Sequence, residues 1–277
     1  MQRPLDTITL RRMPFEFPDG IDSVFVPDEP ELSYGLIAAS LLLPYLEPYL
    51  IRSMRAARDS VSDPEVLSGL DGFCAQEGQH YRIHSKFNEA CRLEGFPGLA
   101  SLEQELKDDY QRFTTQKSLR FNLAYAEGFE AFTMNLVHFI MGDDGLDLPD
   151  SPIRQMWEWH FIEELEHRTV TFDVYEHVVG GYFYRLIVGV YAQWHFTRWL
   201  RKVNRYMLRA NPPPERTPAQ KKKRRAEGRF ARRNAVRNLL VPLLRTYLPH
   251  YSPHKVDISP AMQDMADRYT AMATQHS

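Results

Sequence analysis

The chain has 277 residues, enough to bury a sizeable core, and its hydrophobic (43%) and aromatic (12%) content excludes wholesale disorder. Two cysteines exclude a disulfide-rich secreted scaffold, and the N-terminal stretch lacks the apolar core of a signal peptide, so we expect a cytoplasmic protein. The net charge of −2 averages an acidic body with a basic segment, because residues 198–237 hold 15 Lys or Arg but only two Glu.

Helical periodicity dominates the chain, and the alternation typical of strands is scarce. An irregular lead-in over residues 1–30 is expected to precede the helices. The breakers SVSDPEV, FPG and MGDDGLDLPDSP separate four long apolar-periodic segments. These segments predict helices over about 31–58, 64–94, 101–141 and 151–180. Four long helices joined by short connections are the components of a four-helix bundle, which we place at residues 31–180.

Residues 181–277 are expected to form a C-terminal helical extension. It contains helices over about 182–209 and 218–247, then a last short helix after the proline-rich YLPHYSPHKVDISP. The best candidate for a membrane span, residues 178–200, carries Arg185, His195 and Arg198. A membrane span needs about 20 mostly apolar residues, so this stretch predicts a buried or surface-lying helix instead.

The segment HFIEELEH, residues 160–167, concentrates groups that bind protons or metals. His160, Glu164 and His167 follow the spacing i, i+4, i+7 and therefore share a narrow stripe of one helix. Glu163 lies at the edge of this stripe and Glu166 points away, so neither is expected to be a ligand. A solvated helix face rich in glutamate is the alternative interpretation.

The second helix repeats the pattern in QEGQHYRIH, where Glu77, His80 and His84 lie within one arc. Glu77 and His80 form a Glu-x-x-His motif, and Glu164 and His167 form another. The i, i+3 spacing lets a carboxylate and an imidazole from successive turns reach one ion. One copy is a weak signal, but two copies on separate helices are specific. His84 is either an additional ligand or a hydrogen-bonded core histidine.

The other two bundle helices each offer a carboxylate in apolar surroundings. Glu47 lies inside LLLPYLEPYL, where a charge is costly unless it is paired or bound to a metal; Arg52 or Arg55 could pair with it instead. The segment AYAEGFEAF contains Glu127 and Glu130 one turn apart, and spacing cannot choose between them.

The order Glu, Glu-x-x-His, Glu, Glu-x-x-His resembles that of ferritin-like di-iron and di-manganese carboxylate bundles. More closely, the chain is similar to a bacterial family labelled "predicted metal-dependent hydrolase". The resemblance implies an all-α, ferritin-like four-helix bundle with additional C-terminal helices. It favours Glu130 over Glu127 as the ligand. The matching motifs are P-x-x-E (44–47), Q-E-x-x-H-x-x-x-H (76–84), E-x-F-T (130–133), W-x-W-H-x-x-E-E-x-E-H (157–167), F-D-x-Y (172–175) and YSPHKVD (251–257).

The histidine at the start of H-x-x-x-E-x-x-H (160–167) makes this ligand pattern similar to that of arylamine N-oxygenases. The resemblance implies two metal ions and a set of neighbouring groups. Glu127 and His84 are alternatives or neighbours of the ligands, and Asp173 either orients a ligand histidine or forms a salt bridge. The implied ligands are Glu47, Glu77, His80, Glu130, His160, Glu164 and His167.

Carboxylates and imidazoles without thiolate suit two iron ions, with manganese as an alternative; ligand type alone does not exclude zinc or copper. The resemblance implies an oxygenase or oxidase that activates dioxygen to oxidise a mostly apolar small molecule. An electron-donor reductase would be its partner. One alternative is a binuclear metal-dependent hydrolase. Another is a non-catalytic iron-handling or membrane-associated protein.

The basic segment extends as an amphipathic arm over residues 198–244. It could fold back over the acidic body or pair with a second copy in a homodimer. It could also lie on the inner face of the membrane, because anionic lipids attract Lys and Arg and the apolar face enters the interface. Nucleic acid requires only the charge and leaves the apolar face unused, so we do not expect it as a partner.

Overall fold

The structure, a computed structural model, describes residues 7–27, 29–91, 93–141 and 146–275, without the side chains of 227, 230–232 and 275. The described residues form no β-sheet, and the predicted all-α class is confirmed. Short 3-10 turns occupy Arg58–Ser60 and Pro253–Lys255, and a π-helical turn occupies Val236–Leu240. The α-helices are α1 Pro30–Ala57, α2 Pro64–Ala90, α3 Leu99–Gln116, α4 Leu119–Met141, α5 Pro152–Glu166, α6 Val170–Val178, α7 Tyr182–Ala210, α8 Pro218–Ala235, α9 Val241–Arg245 and α10 Pro260–Gln275.

Two helices that carry the Glu-x-x-His motifs begin with the same local chemistry. Asp63 accepts hydrogen bonds from the backbone N–H groups of Glu65 and Val66, and proline follows it at the first position of α2. Ser151 accepts from the Arg154 N–H in the same way at the start of α5, again before a proline. These caps satisfy backbone donors that a helix leaves free at its N-terminus, so they fix where each helix begins.

The single helix predicted over about 101–141 is wrong, because the chain breaks at residues 117–118 into α3 and α4. Ser118 caps the new helix, since the Phe121 N–H donates to its hydroxyl and its carbonyl oxygen. α3 turns back outside the bundle and packs on α1 and α7. There the Trp199 indole donates to the carbonyl of Leu102. Only α4 therefore serves as the third bundle helix.

The predicted continuous helix over 151–180 is also interrupted. α5 ends at Glu166, and the chain turns through residues 167–169 before α6 begins at Val170. The His167 N–H still donates to the Glu163 carbonyl at 3.2 Å, so this histidine keeps its place on the last turn of α5. The break thus comes directly after the second Glu-x-x-His motif and leaves its spacing intact.

The bundle consists of α1, α2, α4 and the α5–α6 pair, with α7 packed along α4 and α1. α2 and α5 run antiparallel, since Gln76 contacts His167 and His80 contacts Glu163. α4 and α7 approach very closely at Gly128 and Gly189, where a Cβ on Gly128 would lie 2.3 Å from the Gly189 Cα. Two hydrophobic cores, one dominated by α1, α4 and α7 and one by α5 and α10, enclose the bundle interior.

One described segment, Pro30–Ser60, has the length and hydropathy of a membrane span. It consists of α1 and the following turn, and 67% of its most apolar stretch of 18 residues is buried inside the protein. The core helix of a protein that does not span a membrane has the same length and hydropathy, so these two properties alone do not indicate a membrane span. The stretch 178–200, which the sequence offered as the best candidate for a span, lacks this hydropathy and is divided at Gly180 and Gly181, whose φ angles are +56° and +105°.

Candidate metal centre

The interior of the bundle contains a cluster of carboxylates and imidazoles contributed by α1, α2, α4 and α5. Each of these side chains is at most 3% exposed. Charged groups are almost never buried so fully without partners or a metal. The cluster brings together all seven residues implied as ligands by the sequence resemblance: Glu47, Glu77, His80, Glu130, His160, Glu164 and His167.

The seven residues divide into two neighbouring groups, each with donor atoms within 4.8 Å of one another. The first group consists of one carboxylate and two imidazoles, and the second of three carboxylates and one imidazole. Three or four donors converging on one point are sufficient to hold a transition metal. The first group is Glu47, His80 and His160, and the second is Glu77, Glu130, Glu164 and His167.

Two carboxylates lie between the groups and face both of them. In Glu77, Oε2 is 3.7 Å from His80 Nδ1 and Oε1 is 3.4 Å from His167 Nε2. In Glu164, Oε1 is 3.2 Å from His160 Nε2 and Oε2 is 3.4 Å from His167 Nε2. Each carboxylate thus offers one oxygen to each group. Glu77 and Glu164 have the positions of bridging ligands between two ions.

The inward-facing atoms of the cluster have no hydrogen-bond partners among the described residues. Both oxygens of Glu47 and of Glu77 are without one, although these atoms are buried. Buried polar atoms are almost always hydrogen bonded, so a concentration of unpartnered ones requires an explanation such as a bound ion. The others in the cluster are His80 Nδ1, Glu130 Oε1, His160 Nδ1, Glu164 Oε2 and His167 Nε2.

The electrostatics of the cluster also suit cations. Burial, reinforced by the charge of Glu77, raises the pKa of Glu47 well above its ordinary value. Burial and the charge of Glu164 raise the pKa of Glu130 in the same way. Burial lowers the pKa of His160 to about 4, so its imidazole is neutral near neutral pH. Metal ligands must be deprotonated carboxylates and neutral imidazoles, and a cation supplies the charge that stabilises them.

Each Glu-x-x-His motif is oriented by the residue that precedes the glutamate of the other motif. His80 donates from Nε2 to Glu163 Oε2 at 3.0 Å, which leaves Nδ1 for the cluster. His167 donates from Nδ1 to Gln76 Oε1 at 3.0 Å, which leaves Nε2 for the cluster. This reciprocal arrangement follows from the antiparallel pairing of α2 and α5. Such outer contacts fix the tautomer and ring orientation of ligand histidines.

The lead-in over residues 7–15 closes this network from outside the bundle. The Arg11 guanidinium, only 3% exposed, donates to both oxygens of Glu166 and lies 3.5 Å from Glu163. Gln76 donates to Glu166 and to the backbone carbonyl of Thr9. Arg11 therefore balances the buried charges of Glu163 and Glu166, and these two acids keep the role of neighbours rather than ligands.

The remaining sequence-predicted residues lie outside both groups. Glu127 Oε1 accepts from Arg185 Nη1 at 2.7 Å, so Glu130 is the α4 carboxylate that faces the cluster. The centroid of the His84 ring lies 4.9 Å from that of the His160 ring, and His84 Nδ1 is hydrogen bonded to the Ser40 hydroxyl.

Asp173, for which orienting a ligand histidine and forming a salt bridge were both open, contacts a histidine outside the cluster. Its carboxylate contacts His254 Nε2 at 2.8 Å near the surface, because α6 is separated from α5 by the break at 167–169. Gln76 and Glu163 orient the ligand histidines instead. The pattern Gln/Glu-Glu-x-x-His, repeated at 76–80 and 163–167, is the sequence signal that could have identified them.

A family model described as "Predicted metal-dependent hydrolase" matches residues 9–257. This span includes both ligand groups, the lead-in residue Arg11 and most of the C-terminal extension. No curated protein and no solved structure matches the chain. Because the family model covers most of its length, the chain belongs to the predicted metal-dependent hydrolase family.

Proposed function

We propose that the protein is an enzyme with a binuclear metal centre, held by the two groups of ligands and bridged by Glu77 and Glu164. The observation that carries this proposal is the concentration of unpartnered, buried donor atoms on seven side chains from four helices. The donor set of carboxylates and imidazoles without thiolate favours two iron ions, with manganese as the alternative. Similar chemistry in ferritin-like bundles supports the same assignment.

The reaction that we favour is oxidation by dioxygen of a mostly apolar small molecule, with electrons from a reductase. Two reduced iron ions, when bound, can transfer electrons to dioxygen. The burial of every ligand supports this reaction, because dioxygen is a small neutral gas and the substrate is mostly apolar, whereas the ester or phosphate group of a hydrolase substrate is polar. The chain itself would hold the ligand histidines through Gln76 and Glu163 and keep bulk water from the centre.

A cleft of about 550 Å³ between α4 and the segment 236–257 is a candidate position for the small molecule. Met134, one helical turn beyond Glu130, lies in its wall together with Leu248 and Pro242. The buried Nε2 of His138, which also lines the cleft, has no hydrogen-bond partner among the described residues. Because Asn135, Arg245, Lys255 and Asp257 also line the cleft, a compound with both an apolar part and polar groups would suit it.

Hydrolysis at the same centre is the second candidate, and the family description favours it. Two bound metal ions lower the pKa of a water molecule and polarise an ester or phosphate. Glu77 and Glu164 would hold the ions in this reaction too, so the ligand set does not choose between the reactions. The choice depends on whether dioxygen or water is the reactant.

Metal content tests the centre itself. Protein purified from iron-rich cells should contain two ions per chain, and Glu77→Ala and His167→Ala should lose them. Asp173→Ala is the matched control, because this carboxylate contacts His254 rather than the cluster and its loss should leave the metal content unchanged. Fewer than one ion per chain in the unaltered protein would contradict the proposal, and many ions per chain would indicate iron storage.

A second experiment separates the two reactions. The protein is loaded with ferrous iron without oxygen, and dioxygen uptake and the absorption spectrum are recorded after air is admitted. Rapid uptake, absent from Glu77→Ala, is expected for the oxidase or oxygenase. The same loaded protein is tested on carboxylic and phosphate esters under strict anaerobiosis. Ester turnover without dioxygen uptake would assign the hydrolase and refute the favoured reaction.

A further inference from the structure

One face of α7 presents a stripe of large apolar side chains to solvent. Phe183 is 74% exposed, Ile187 68%, Val190 48% and Trp194 55%. Their spacing of four, three and four residues places them in one line along the helix. Single exposed apolar residues are ordinary, but a continuous row of four that includes Phe and Trp marks an interaction surface.

A second stripe lies on residues 236–248, from the π-helical turn to three residues beyond the end of α9. The two segments are joined at both ends of the α7 stripe, because Tyr182 donates to the backbone carbonyl of Tyr247, and Tyr247 donates to the Gln193 side chain. The two stripes therefore meet at Tyr247, and together they make up the apolar surface. The side chains of the second stripe, 42–52% exposed, are Val236, Leu240, Val241, Leu244 and Leu248.

Cations surround this apolar surface. The Arg198 guanidinium lies 5.4 Å from the Trp194 ring at one end of the α7 stripe. In the first turn of α4, Arg120 lies 3.8 Å from the ring of Tyr184, which is next to Phe183 of the stripe. Arg237 and Arg245 are exposed on the segment of the second stripe. The sequence between Glu176 and Asp257 contains only two acidic residues. Two acids of α3 lie at the Trp194 end of the α7 stripe, where Glu105 pairs with Arg198 and Asp109 contacts His195.

The basic arm is only partly occupied by contacts within the protein. Arg216 and Arg224 fold back to α1, where both contact the carboxylate of Glu31. Lys202 pairs with Glu105 of α3. Further cations are exposed on α8 and on the segment after it, namely Lys221, Lys222, Arg225, Arg233, Arg237 and Arg245.

We propose that the apolar surface and its surrounding cations bind the surface of an anionic lipid membrane. Apolar and aromatic side chains enter the boundary between headgroups and acyl chains, where Trp is especially favoured. Lys and Arg around them are attracted by anionic headgroups. A second copy of the chain is a poor occupant, because a two-fold contact would place identical cation-rich surfaces against each other.

Vesicle co-sedimentation of the full chain tests this proposal. The probes are phosphatidylcholine vesicles with and without phosphatidylserine, each at about 0.05 M and about 0.5 M salt. Binding is expected to the anionic vesicles and to weaken at the higher salt. Ile187→Ser/Trp194→Ser and Leu240→Ser/Leu244→Ser should each weaken binding by about tenfold or more. These side chains are exposed, so the fold should persist, and thermal unfolding checks this.

Leu32→Ser is the matched control. Leu32 is 41% exposed on α1, outside both stripes, and its replacement should leave vesicle binding unchanged. No binding of the unaltered protein to anionic vesicles would overturn the proposal, as would stripe variants that bind as well as the control. If ultracentrifugation shows a dimer that the stripe variants dissociate, a second copy covers the surface and the membrane assignment is wrong. The test needs no metal, so it is independent of the proposed reaction.

Discussion

Two buried glutamates of the bundle should respond in opposite ways to the same substitution. Glu47 is 1% exposed, and neither of its oxygens has a hydrogen-bond partner among the described residues. Glu127 is 3% exposed and accepts a hydrogen bond from Arg185, itself 6% exposed. Replacing either glutamate by methionine keeps a side chain of similar length without a charge. Opposite effects of the two substitutions would distinguish a metal ligand, Glu47, from a carboxylate that stabilises the fold, Glu127.

Without metal, Glu47→Met should stabilise the protein. It removes a buried carboxyl group with no partner, whose burial costs about 1–3 kcal/mol. At about 2–4 °C per kcal/mol for a chain of this size, the melting temperature should rise by about 2–12 °C. Glu127→Met should lower the free energy of unfolding by about 3–5 kcal/mol, because it removes the 2.7 Å partner of the buried Arg185, whose other carboxylate contact, Glu176, is 4.0 Å away.

The assay is thermal unfolding of chelator-treated protein, repeated with ferrous iron or manganese under anaerobic conditions. Metal stabilises the unaltered protein because it binds the folded state alone. Metal should raise the melting temperature of Glu47→Met much less than that of the unaltered protein. With metal added, the variant should therefore melt at the same temperature as the unaltered protein or below it. If metal-free Glu47→Met melts below the unaltered protein, Glu47 stabilises the fold itself and the reasoning is refuted.

Three further outcomes are expected. Gly128→Ala should lower the free energy of unfolding by about 1–3 kcal/mol, because its Cβ would meet the backbone of α7. Gly78→Ala, whose Cβ would have nothing within 4 Å, should be neutral or stabilising by up to about 1 kcal/mol. Urea unfolding measures both variants, and equal effects would contradict the close contact between α4 and α7. Glu163→Gln should weaken metal affinity by about 10–100-fold at unchanged stoichiometry in chelator competition; unchanged affinity would deny it the orienting role. Burial raises the pKa of Glu47 and Glu130 above the ordinary 4.5, so the metal-free protein should lose stability as the pH rises through the raised values. Metal binding should therefore release protons from these carboxyl groups. Calorimetry in buffers of different ionisation enthalpy measures the number of protons released, and a value of zero would contradict the prediction.

The part of the site that the sequence could predict is the part set by local geometry. Residues three, four or seven apart on a helix share a face whatever the rest of the fold does, so His160, Glu164 and His167 could be grouped from their spacing alone. Glu47 was recognisable because a carboxylate among leucines and tyrosines needs a partner. The all-α class followed from the same periodicity, while the ferritin-like topology stays a prediction.

What the sequence could not show depends on contacts between distant segments. The break before α4 is hidden because apolar periodicity continues on both sides of Ser118. Arg11 lies in a segment without periodicity, and its partners Glu163 and Glu166 are more than 150 residues away. Gln76 acquires its role only from the antiparallel pairing of α2 with α5. The side chains that orient the ligands therefore cannot be predicted from helical spacing, because their contacts depend on how the helices pack.

The most direct measurement is X-ray diffraction from metal-loaded crystals at the absorption edge of iron. Two anomalous peaks per chain are predicted, one among Glu47, His80 and His160 and the other in the second group, with a carboxylate oxygen of Glu77 and one of Glu164 contacting each. A single peak, or peaks held by other residues, would contradict the binuclear centre.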